Sequence, residues 1–219
     1  MKVLVACEFS GTVRDAFIRK GHDAVSCDLL PTESPGPHIQ GNVLEALDDG
    51  WDLMIAHPPC TYLSSSGLHW NKRRPEREKQ TEEAMAFVME LANAPIPRIC
   101  IENPVGRIGT AWRKADQCIQ PYHFGHDASK RTCLWLKGLP PLEGTQYVMP
   151  RIVCDICGAT CPNGSGCPRC HIHRVKERWG NQTNSGQNRL GPSENRWALR
   201  SATYQGIADA MADQWGGIA

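Results

Sequence analysis

The sequence lacks any apolar run long enough to cross a membrane, and its first residues lack the apolar stretch and cleavage site of a secretory signal. We therefore expect no membrane partner and a cytoplasmic location. Internal repeats and long low-complexity segments are also absent from the sequence. The length of 219 residues suits one sizeable α/β domain with an insertion, rather than two large domains.

The chain also has little overall charge, with a formal net charge of only +1. The charges are unevenly distributed, because residues 151–200 contain eight Lys and Arg residues against three Asp and Glu residues. A local basic excess of this kind suits the phosphate backbone of a nucleic acid. A solvated basic surface is the alternative interpretation.

Cysteine, in contrast, is abundant, with 11 residues in a chain that we expect to be reduced. Two CxxC pairs, Cys154/Cys157 and Cys167/Cys170, are separated by nine residues. Paired CxxC motifs at short separation predict a zinc site, and a site of four thiolates is structural rather than catalytic. Three neighbouring residues are further candidate ligands: Cys161, His171 and His173.

The first 28 residues have the pattern of a strand, a turn, a helix and a second strand. We predict strands over 1–8 and 22–28 and a helix over 12–20, with the turn at Phe9-Ser10-Gly11. A glycine turn followed by a strand-ending acid, here Asp28, is typical of nucleotide-binding βαβ units. A plain βαβ crossover is the alternative. The predicted helix has an apolar face of Val13, Ala16 and Phe17 and a polar face of Arg14, Asp15, Arg19 and Lys20.

The segment 51–57 predicts a buried strand that ends at Pro58-Pro59-Cys60. The two prolines form a stiff turn, because each fixes its own φ and neither donates a hydrogen bond. A cysteine presented beyond a strand favours a nucleophile over a buried thiol. The segment 98–104 repeats this pattern of apolar strand, polar tip and proline, with Glu102 at the tip, and parallel pairing would place Cys60 and Glu102 on one edge of the sheet. A thiol and a carboxylate there suit covalent attack on an electron-poor ring.

Two further loops are candidates for contact with nucleic acid. A basic and aromatic loop over 69–75 is either a mobile lid for nucleic acid or a solvated loop. A second loop over 181–196, with Arg189 and Arg196, either grips phosphate or is a linker. We also predict a short helix over 42–49, helices over 76–94 and 201–215, and a strand over 132–136.

Two motifs together resemble those of the DNA cytosine-5 methyltransferases. Pro58-Pro59-Cys60, with Ser64 and Gly67, resembles the nucleophile motif of that family, and Ile101-Glu102-Asn103 resembles its glutamate motif. Weaker similarities follow the family's order: Phe9-Ser10-Gly11 to the first cofactor turn, Asp28 to the ribose-binding acid, Lys130-Arg131 to the arginine motif and Thr203 to Ala210 to the final motif.

The resemblance implies an α/β fold with a Rossmann-like S-adenosylmethionine-dependent methyltransferase sheet, and the paired CxxC motifs add a small zinc-ribbon insertion. We therefore expect a catalytic core over 1–150, a zinc ribbon and basic loop over 151–195 that contacts DNA, and a helix over 196–219 that returns to the core. DNA is the implied partner, and the target cytosine would be flipped out of the duplex. Cys60 would attack C6, Glu102 would hold N3 and the exocyclic amine, and Arg131 would contact O2 or a phosphate.

The resemblance also implies two sets of binding residues. The cofactor set for S-adenosyl-L-methionine is Phe9, Ser10, Gly11, Asp28, Asn42, Pro58 and Tyr204. The nucleic-acid set is Ser64, Lys72, Arg73, Arg74, Lys130, Arg189 and Arg196. Zinc would be held by Cys154, Cys157, Cys167 and Cys170.

The chain departs from the family pattern in several places. Gly11 stands alone where the family has a glycine-rich turn, Thr61 replaces a glutamine, and Asp127 and Ser129 replace residues of the arginine motif. The zinc module occupies the place of the usual target-recognition domain. Three alternatives remain: the same scaffold acting on a free pyrimidine nucleotide or transferring a non-methyl group, a non-catalytic zinc-ribbon DNA-binding protein, and a cysteine hydrolase with His57 or His69 as base.

Overall fold

The computed structural model describes residues 1–71, 73–161, 167–171, 174–194 and 196–218. Its strands are β1 (Lys2–Ala6), β2 (Asp23–Asp28), β3 (His38–Gln40), β4 (Leu53–Ala56), β5 (Arg98–Pro104), β6 (Gln117–Ile119), β7 (Thr132–Lys137), β8 (Arg151–Cys154) and β9 (Val175–Arg178). Its α-helices are α1 (Thr12–Arg19), α2 (Ser65–Leu68), α3 (Glu76–Asn93), α4 (Arg107–Ala111), α5 (Arg196–Ser201) and α6 (Gln205–Trp215). Short 3₁₀ helices lie at Val43–Ala46 and Pro121–His123.

A central seven-stranded sheet has the order β3-β2-β1-β4-β5-β7-β6. The pairs among β1 to β5 are parallel, and β7 is antiparallel to both β5 and β6. The predicted α/β class is therefore confirmed. The chain builds outward from β1 to β3 and then continues at β4 on the other side of β1. In open α/β sheets, ligands bind outside the carboxyl ends of the strands at such a switch point.

The predicted strand–helix–strand unit at the start of the chain is present as β1, α1 and β2. Four consecutive residues of β1, Val3 to Ala6, are completely buried, as expected for a central parallel strand covered on both faces. On α1, the apolar residues Val13, Ala16 and Phe17 are buried as predicted. Burial of this stripe holds the helix against the sheet and fixes the turn before it.

The prediction that Arg14 lies on the polar face of α1 is wrong, because its side chain is fully buried. The guanidinium donates hydrogen bonds to Asp15 Oδ1 at 2.8 Å, Ser26 Oγ at 3.1 Å and the Ser34 carbonyl at 2.9 Å. A charge can be buried when its donors are paired in this way. Arg14 therefore ties the loop after β2 to α1.

Substitution of Arg14 by Met should lower the free energy of unfolding by about 3 kcal/mol, because Asp15 and the loop carbonyls lose their donors. Arg19→Met is the matched control on the same helix. Arg19 pairs with Asp209 at 2.7 Å, but its side chain is 53% exposed, so its removal should change stability by less than about 1 kcal/mol. Denaturant unfolding curves would compare the two variants; equal losses would contradict this role of Arg14.

The other predicted elements of the sheet layer are also present. The predicted helix over 76–94 is α3, whose Val88 and Leu91 join the main core with residues of β1, β4 and β5. The predicted helix over 201–215 is present as α6, which begins at Gln205, and a separate short helix, α5, precedes it. Helix α6 packs against α1 and forms the Lys20–Asp213 ion pair in addition to that of Arg19.

The chain divides into two compact units. The sheet unit comprises Met1–Ile119, Arg131–Glu143 and Thr203–Ala219, and the cysteine unit comprises Gln120–Lys130 and Gly144–Ala202. These boundaries differ from the sequence-based division at 150 and 195. The reason lies in Tyr122, which stacks on Trp179 with ring centroids 4.5 Å apart and so joins residues 120–130 to the cysteine unit.

No helix among the described residues is sufficiently long and apolar to cross a membrane.

Candidate active site and candidate metal centre

The carboxyl ends of β4 and β5 bring the segments of the predicted nucleophile and the predicted acid to one edge of the sheet. The two strands pair in parallel with Ala56 opposite Ile101, so that His57 and Glu102 follow side by side. Cys60 lies three residues beyond His57 and is exposed. The parallel pairing required by the sequence prediction is confirmed, and Cys60 is not packed in the core.

The segment after Cys60 is fixed against the end of β5. Three hydrogen bonds join the two segments: from Asn103 Nδ2 to the Pro58 carbonyl at 2.7 Å, from the Ser65 N–H to the Val105 carbonyl at 2.9 Å, and from the Arg107 N–H to the Leu63 carbonyl at 2.7 Å. The first of these bonds is buried, where a hydrogen bond is costly to break. The backbone that carries Cys60 is therefore anchored to the strand that carries Glu102.

Gly106 makes this close approach possible, since a Cβ atom there would lie 1.9 Å from the Leu63 carbonyl oxygen. We expect Gly106→Ala to push the Cys60 segment away from β5. The cost should be about 1–3 kcal/mol of stability, as for other overpacked sites. Gly109→Ala is the matched control, because a Cβ atom at that position would meet nothing within 4 Å.

Unfolding curves and the DNA-modification assay described below test this prediction. A misplacement of about 1 Å can lower a catalysed rate by about 100-fold. Gly106→Ala should therefore lose activity at a temperature where it is still folded, whereas Gly109→Ala should retain it. Full activity of Gly106→Ala would show that the close packing is not needed.

His57 and Glu102 form a hydrogen-bonded pair. The distance from His57 Nδ1 to Glu102 Oε2 is 2.7 Å, and each side chain is only 11% exposed. The second ring nitrogen, Nε2, is buried and has no hydrogen-bond partner among the described residues. The ring is thus directed at the carboxyl group that the sequence singled out.

The predicted cofactor turn lies at the start of α1. Gly11 precedes the helix with φ of 75°, a left-handed conformation that favours glycine. Glu8, which the sequence interpretation did not single out, accepts hydrogen bonds from the N–H groups of Val13 at 2.7 Å and Arg14 at 3.2 Å. These amides are the ones that a bound phosphate would use. A protein carboxylate fills that position here, which disfavours a diphosphate cofactor at this turn.

Ser10 and Phe9 are held in the same turn. Ser10 Oγ donates to Glu8 Oε1 at 3.2 Å, and the Phe9 carbonyl accepts from the Glu33 N–H at 2.8 Å. Glu33 belongs to the loop after β2 that Arg14 also contacts. The turn before α1 and this loop are therefore joined by hydrogen bonds next to the switch point of the sheet.

Cys7 follows β1 and Asp28 is the last residue of β2, so that both lie at the same edge of the sheet. Cys7 has φ of 58°, which is unusual for a residue other than glycine and typical of strained functional sites. Burial raises the pKa of its thiol to about 12, and the nearby Asp28 carboxylate adds to the shift. Asp28 Oδ1 accepts a hydrogen bond from the Leu30 N–H at 2.9 Å. Cys7 therefore stays a neutral thiol beside the acid.

The other predicted cofactor residues have ordinary structural roles. Asn42 caps the 3₁₀ helix at Val43–Ala46 by accepting from the Leu44 N–H at 3.2 Å. Tyr204 precedes α6, and its carbonyl accepts from the Ile207 N–H at 2.9 Å. The Pro58 carbonyl is bonded to Asn103 as described above. These contacts leave their part in cofactor binding a prediction.

Arg131 immediately precedes β7, which pairs with the end of β5. Its side chain is exposed, with Nη2 3.9 Å from Cys118 Sγ. Ser64, in contrast, is 9% exposed, and its hydroxyl group lies 3.1 Å from Ser66 Oγ. Lys130 belongs to the cysteine unit, where its ammonium group donates to the Ala202 carbonyl at 3.3 Å.

Arg73 and Arg74 lie on an exposed basic and aromatic surface. Their guanidinium groups are 5.5 and 5.9 Å from the ring centroid of Trp70, which is itself 41% exposed. Lys72 is outside the described residues. Arg77, which the sequence interpretation missed, packs over the Tyr62 ring at 4.6 Å and donates to the Thr61 carbonyl at 3.3 Å. It therefore braces the two residues that follow Cys60.

Four cysteines of the cysteine unit lie close enough together to hold a metal ion such as zinc. Cys154 and Cys170 have their sulfurs 3.5 Å apart, and Cys157 lies 3.4 Å from Cys167 and 3.9 Å from Cys170. A tetrahedron with zinc–sulfur bonds of about 2.3 Å has sulfur separations of about 3.8 Å. The observed spacing therefore fits four thiolates around one ion.

Backbone N–H groups favour the thiolate form at two of these positions. The Cys157 N–H donates to Cys154 Sγ at 3.5 Å and lowers the pKa of Cys154. Burial opposes ionisation of Cys167, but the N–H groups of Cys170 and Arg169 lower its pKa to about 6. Metals bind thiolates rather than thiols, so this chemistry also fits zinc.

Two of the spare zinc candidates, Cys161 and His171, are not part of the four-sulfur group found among the described residues. Cys161 is buried beside it, with Sγ donating to the Ala159 carbonyl at 3.4 Å, and burial raises the pKa of its thiol. His171 is exposed and does not join the cluster, and His173 is outside the described residues. The closed set of four cysteines agrees with the structural role predicted from their spacing.

The predicted phosphate-gripping arginines lie elsewhere in the cysteine unit. Arg189 is exposed, and its Nε donates to the Gln182 carbonyl at 2.7 Å. Arg196 begins α5, and its Nε is buried without a hydrogen-bond partner among the described residues. Binding of phosphate by either residue stays a prediction.

Comparison with known proteins does not identify a family. No family model matches the chain, and no curated protein matches it. The similarity to DNA cytosine-5 methyltransferases therefore depends on the motifs and on the geometry of the residues that they contain.

Proposed function

We propose that the chain is a DNA cytosine-5 methyltransferase that uses S-adenosyl-L-methionine. The observation that carries the proposal is the pairing of two strand ends. The exposed Cys60 thiol follows β4, the largely buried Glu102 carboxyl group lies near the carboxyl end of β5, and Asn103 joins the two segments by its hydrogen bond to Pro58. This arrangement is suited to attack by a thiol on a ring whose developing charge is received by a fixed acid.

The fold supports a nucleotide-like cofactor at the edge between β1 and β4. The first five strands have the doubly wound order, in which ligands bind outside the carboxyl ends of the strands at the switch point. The two carboxylates at this edge, Glu8 and Asp28, also fit S-adenosylmethionine. Glu8 occupies the amides that a diphosphate would need, whereas S-adenosylmethionine carries no phosphate and is positively charged at its sulfonium group. In this proposal Asp28, the last residue of β2, accepts hydrogen bonds from the ribose hydroxyls.

The residues at the edge would act in a defined order. Cys60 as a thiolate forms a bond to C6 of the flipped cytosine, and the displaced electron pair is accepted at N3, which takes a proton from Glu102. C5 then gains nucleophilic character, and S-adenosylmethionine, when bound, supplies the methyl group. Transfer of the C5 proton to solvent water forms the C5–C6 double bond and expels the Cys60 thiolate, and N3 returns its proton to Glu102.

DNA is the proposed substrate because each of the two units carries basic groups suited to a phosphate backbone. The surface of Trp70, Arg73 and Arg74 lies a few residues after Cys60 in the chain. The cysteine unit contains the excess of Lys and Arg found in residues 151–200. A metal ion held by its four cysteines would make this unit more rigid. Basic groups suit phosphate contacts, which give affinity without sequence preference.

Nucleoside mass spectrometry tests the proposal. Cells without cytosine methylation of their own would express the wild-type chain or Cys60→Ala, and their DNA would be digested to nucleosides. A C5-substituted deoxycytidine should appear only with the wild type, and its mass identifies the transferred group. Identical nucleoside profiles, with both proteins folded and abundant, would overturn the proposed function.

One observation favours a cysteine hydrolase as the second candidate. The Glu102–His57 pair has the form of a carboxylate that orients a histidine base. A hydrolase also needs that base hydrogen-bonded to the nucleophile. His57 Nε2 has no such partner among the described residues, which include Cys60, so the methyltransferase remains the better supported function.

A further inference from the structure

We infer that His57 is a positioning residue that determines which oxygen of Glu102 carries the acid proton for the substrate ring. The inference deepens the proposed function and rests on it. It concerns the residue just before the nucleophile turn, whose role the motif resemblance does not assign. Three observations support it: the register of β4 and β5, the short contact and the buried second ring nitrogen.

The parallel register of β4 and β5 places His57 beside Glu102. Ala56 is opposite Ile101 in a parallel pair, so His57 and Glu102 are the next residues on neighbouring strands. The Nδ1–Oε2 distance of 2.7 Å is short, as expected for a hydrogen bond to a carboxyl group. With both side chains only 11% exposed, water competes weakly for this contact.

The burial of Nε2 indicates the direction of the hydrogen bond. A ring that accepted at Nδ1 would carry its hydrogen on Nε2, where no acceptor lies among the described residues. Donation from Nδ1 avoids an unpaired buried N–H group, which would be costly. The neutral ring therefore donates to Oε2, and that oxygen cannot also carry a proton directed at the ring.

The consequence is a carboxyl group with two different oxygens. Oε2 accepts from His57, so a proton on Glu102 resides on Oε1, and Oε1 is the oxygen that would face N3. As Cys60 bonds to C6, this proton moves to N3, and the carboxylate that remains is stabilised by His57 Nδ1–H. When the adduct breaks down, the same proton returns to Oε1.

Two amide variants separate this role from simple packing. In His57→Asn, the side-chain N–H lies close to the position of Nδ1–H, whereas in His57→Gln the amide lies one bond further out. The expected result is that His57→Asn retains kcat within about tenfold and that His57→Gln loses about 100-fold, as for removal of one preorganised donor. The affinity for DNA and the apparent KM for the cofactor should change little in either variant.

The rates and the DNA binding of the His57 variants distinguish the positioning role from a fold defect and from a failure of the proposed function. If His57→Asn is as slow as His57→Gln while both bind DNA, or if both have the wild-type rate, the inference is wrong. Thermal unfolding of both variants identifies a fold defect, and His57→Leu, which keeps the volume without the donor, should match His57→Gln. If the wild type itself modifies no cytosine, the proposed function fails, and the inference fails with it.

Discussion

Chelation of the metal is expected to unfold the β8–β9 region of the cysteine unit while the central sheet stays folded. The cysteine unit has little apolar core of its own around the metal site, where the buried residues are mainly Cys154, Cys161 and Cys167. A two-stranded sheet is marginally stable by itself. For small zinc modules, the free energy of metal binding, about 10 kcal/mol or more, is the free energy of folding.

Metal analysis and hydrogen exchange would test this expectation. The purified chain should contain one zinc equivalent, and a strong chelator should remove the exchange protection of β8 and β9. Amides of β1, β4 and β5 should remain protected, because these strands are buried in the separate sheet unit. Protected β8–β9 amides in a chain without metal would contradict the site.

A pair of cysteine variants provides the matched control. Cys167 belongs to the four-sulfur group, so Cys167→Ser should lose the metal and the protection together. Cys161 is equally buried, but it donates to a backbone carbonyl, a bond that serine can keep. Cys161→Ser should therefore retain the metal. Loss of metal in both variants would indicate a different ligand set.

The sheet and the placement of the candidate site could be predicted from the sequence because their signals are local. Apolar runs such as Val3 to Ala6 specify buried strands, and prolines and polar tips mark where those strands end. The spacing of Cys154, Cys157, Cys167 and Cys170 likewise predicts a metal site, and the four sulfurs lie close enough together to hold an ion. In each case the pattern and the structural requirement lie within a few residues.

The contacts of three residues could not be predicted from the sequence, because their partners lie far away in the chain or have no distinctive sequence pattern. Arg14 sits at a position where helical spacing favours solvent, yet its partners in the loop after β2 satisfy a buried guanidinium. Glu8 looks like a strand-ending acid, but it caps the next helix. Asn103 acquires its role only when Pro58 lies beside it, 45 residues away in the chain.

The sequence suggests only one part for His57, that of a base in a cysteine hydrolase, because His57 is near Cys60 in the chain. Its actual partner, Glu102, depends on strand register, and a shift of one residue would direct the ring to the opposite face of the sheet. The unit boundaries were unpredictable for a similar reason, since Tyr122 and Trp179 meet only in the folded chain.

An oligonucleotide containing 5-fluorocytosine is expected to form a covalent adduct with Cys60 when S-adenosylmethionine is present. Attack at C6 and methylation at C5 can proceed, but the final elimination requires loss of the C5 substituent as a cation. Hydrogen leaves as a proton, whereas fluorine cannot leave as a cation, so the adduct persists. Intact-mass analysis should show the protein plus the oligonucleotide plus one methyl group, and peptide mapping should locate the bond at Cys60.

Matched variants make this experiment specific. Cys60→Ala should form no adduct, whereas Cys118→Ala, which removes another exposed cysteine of the sheet unit, should react like the wild type. Glu102→Gln should slow adduct formation by about 100-fold or more, since the charge that develops at N3 loses its acid. A parallel reaction with a free 5-fluorodeoxycytidine nucleotide distinguishes the two pyrimidine substrates. An adduct with the nucleotide alone would reassign the substrate, and an adduct at another cysteine would remove Cys60 from the mechanism.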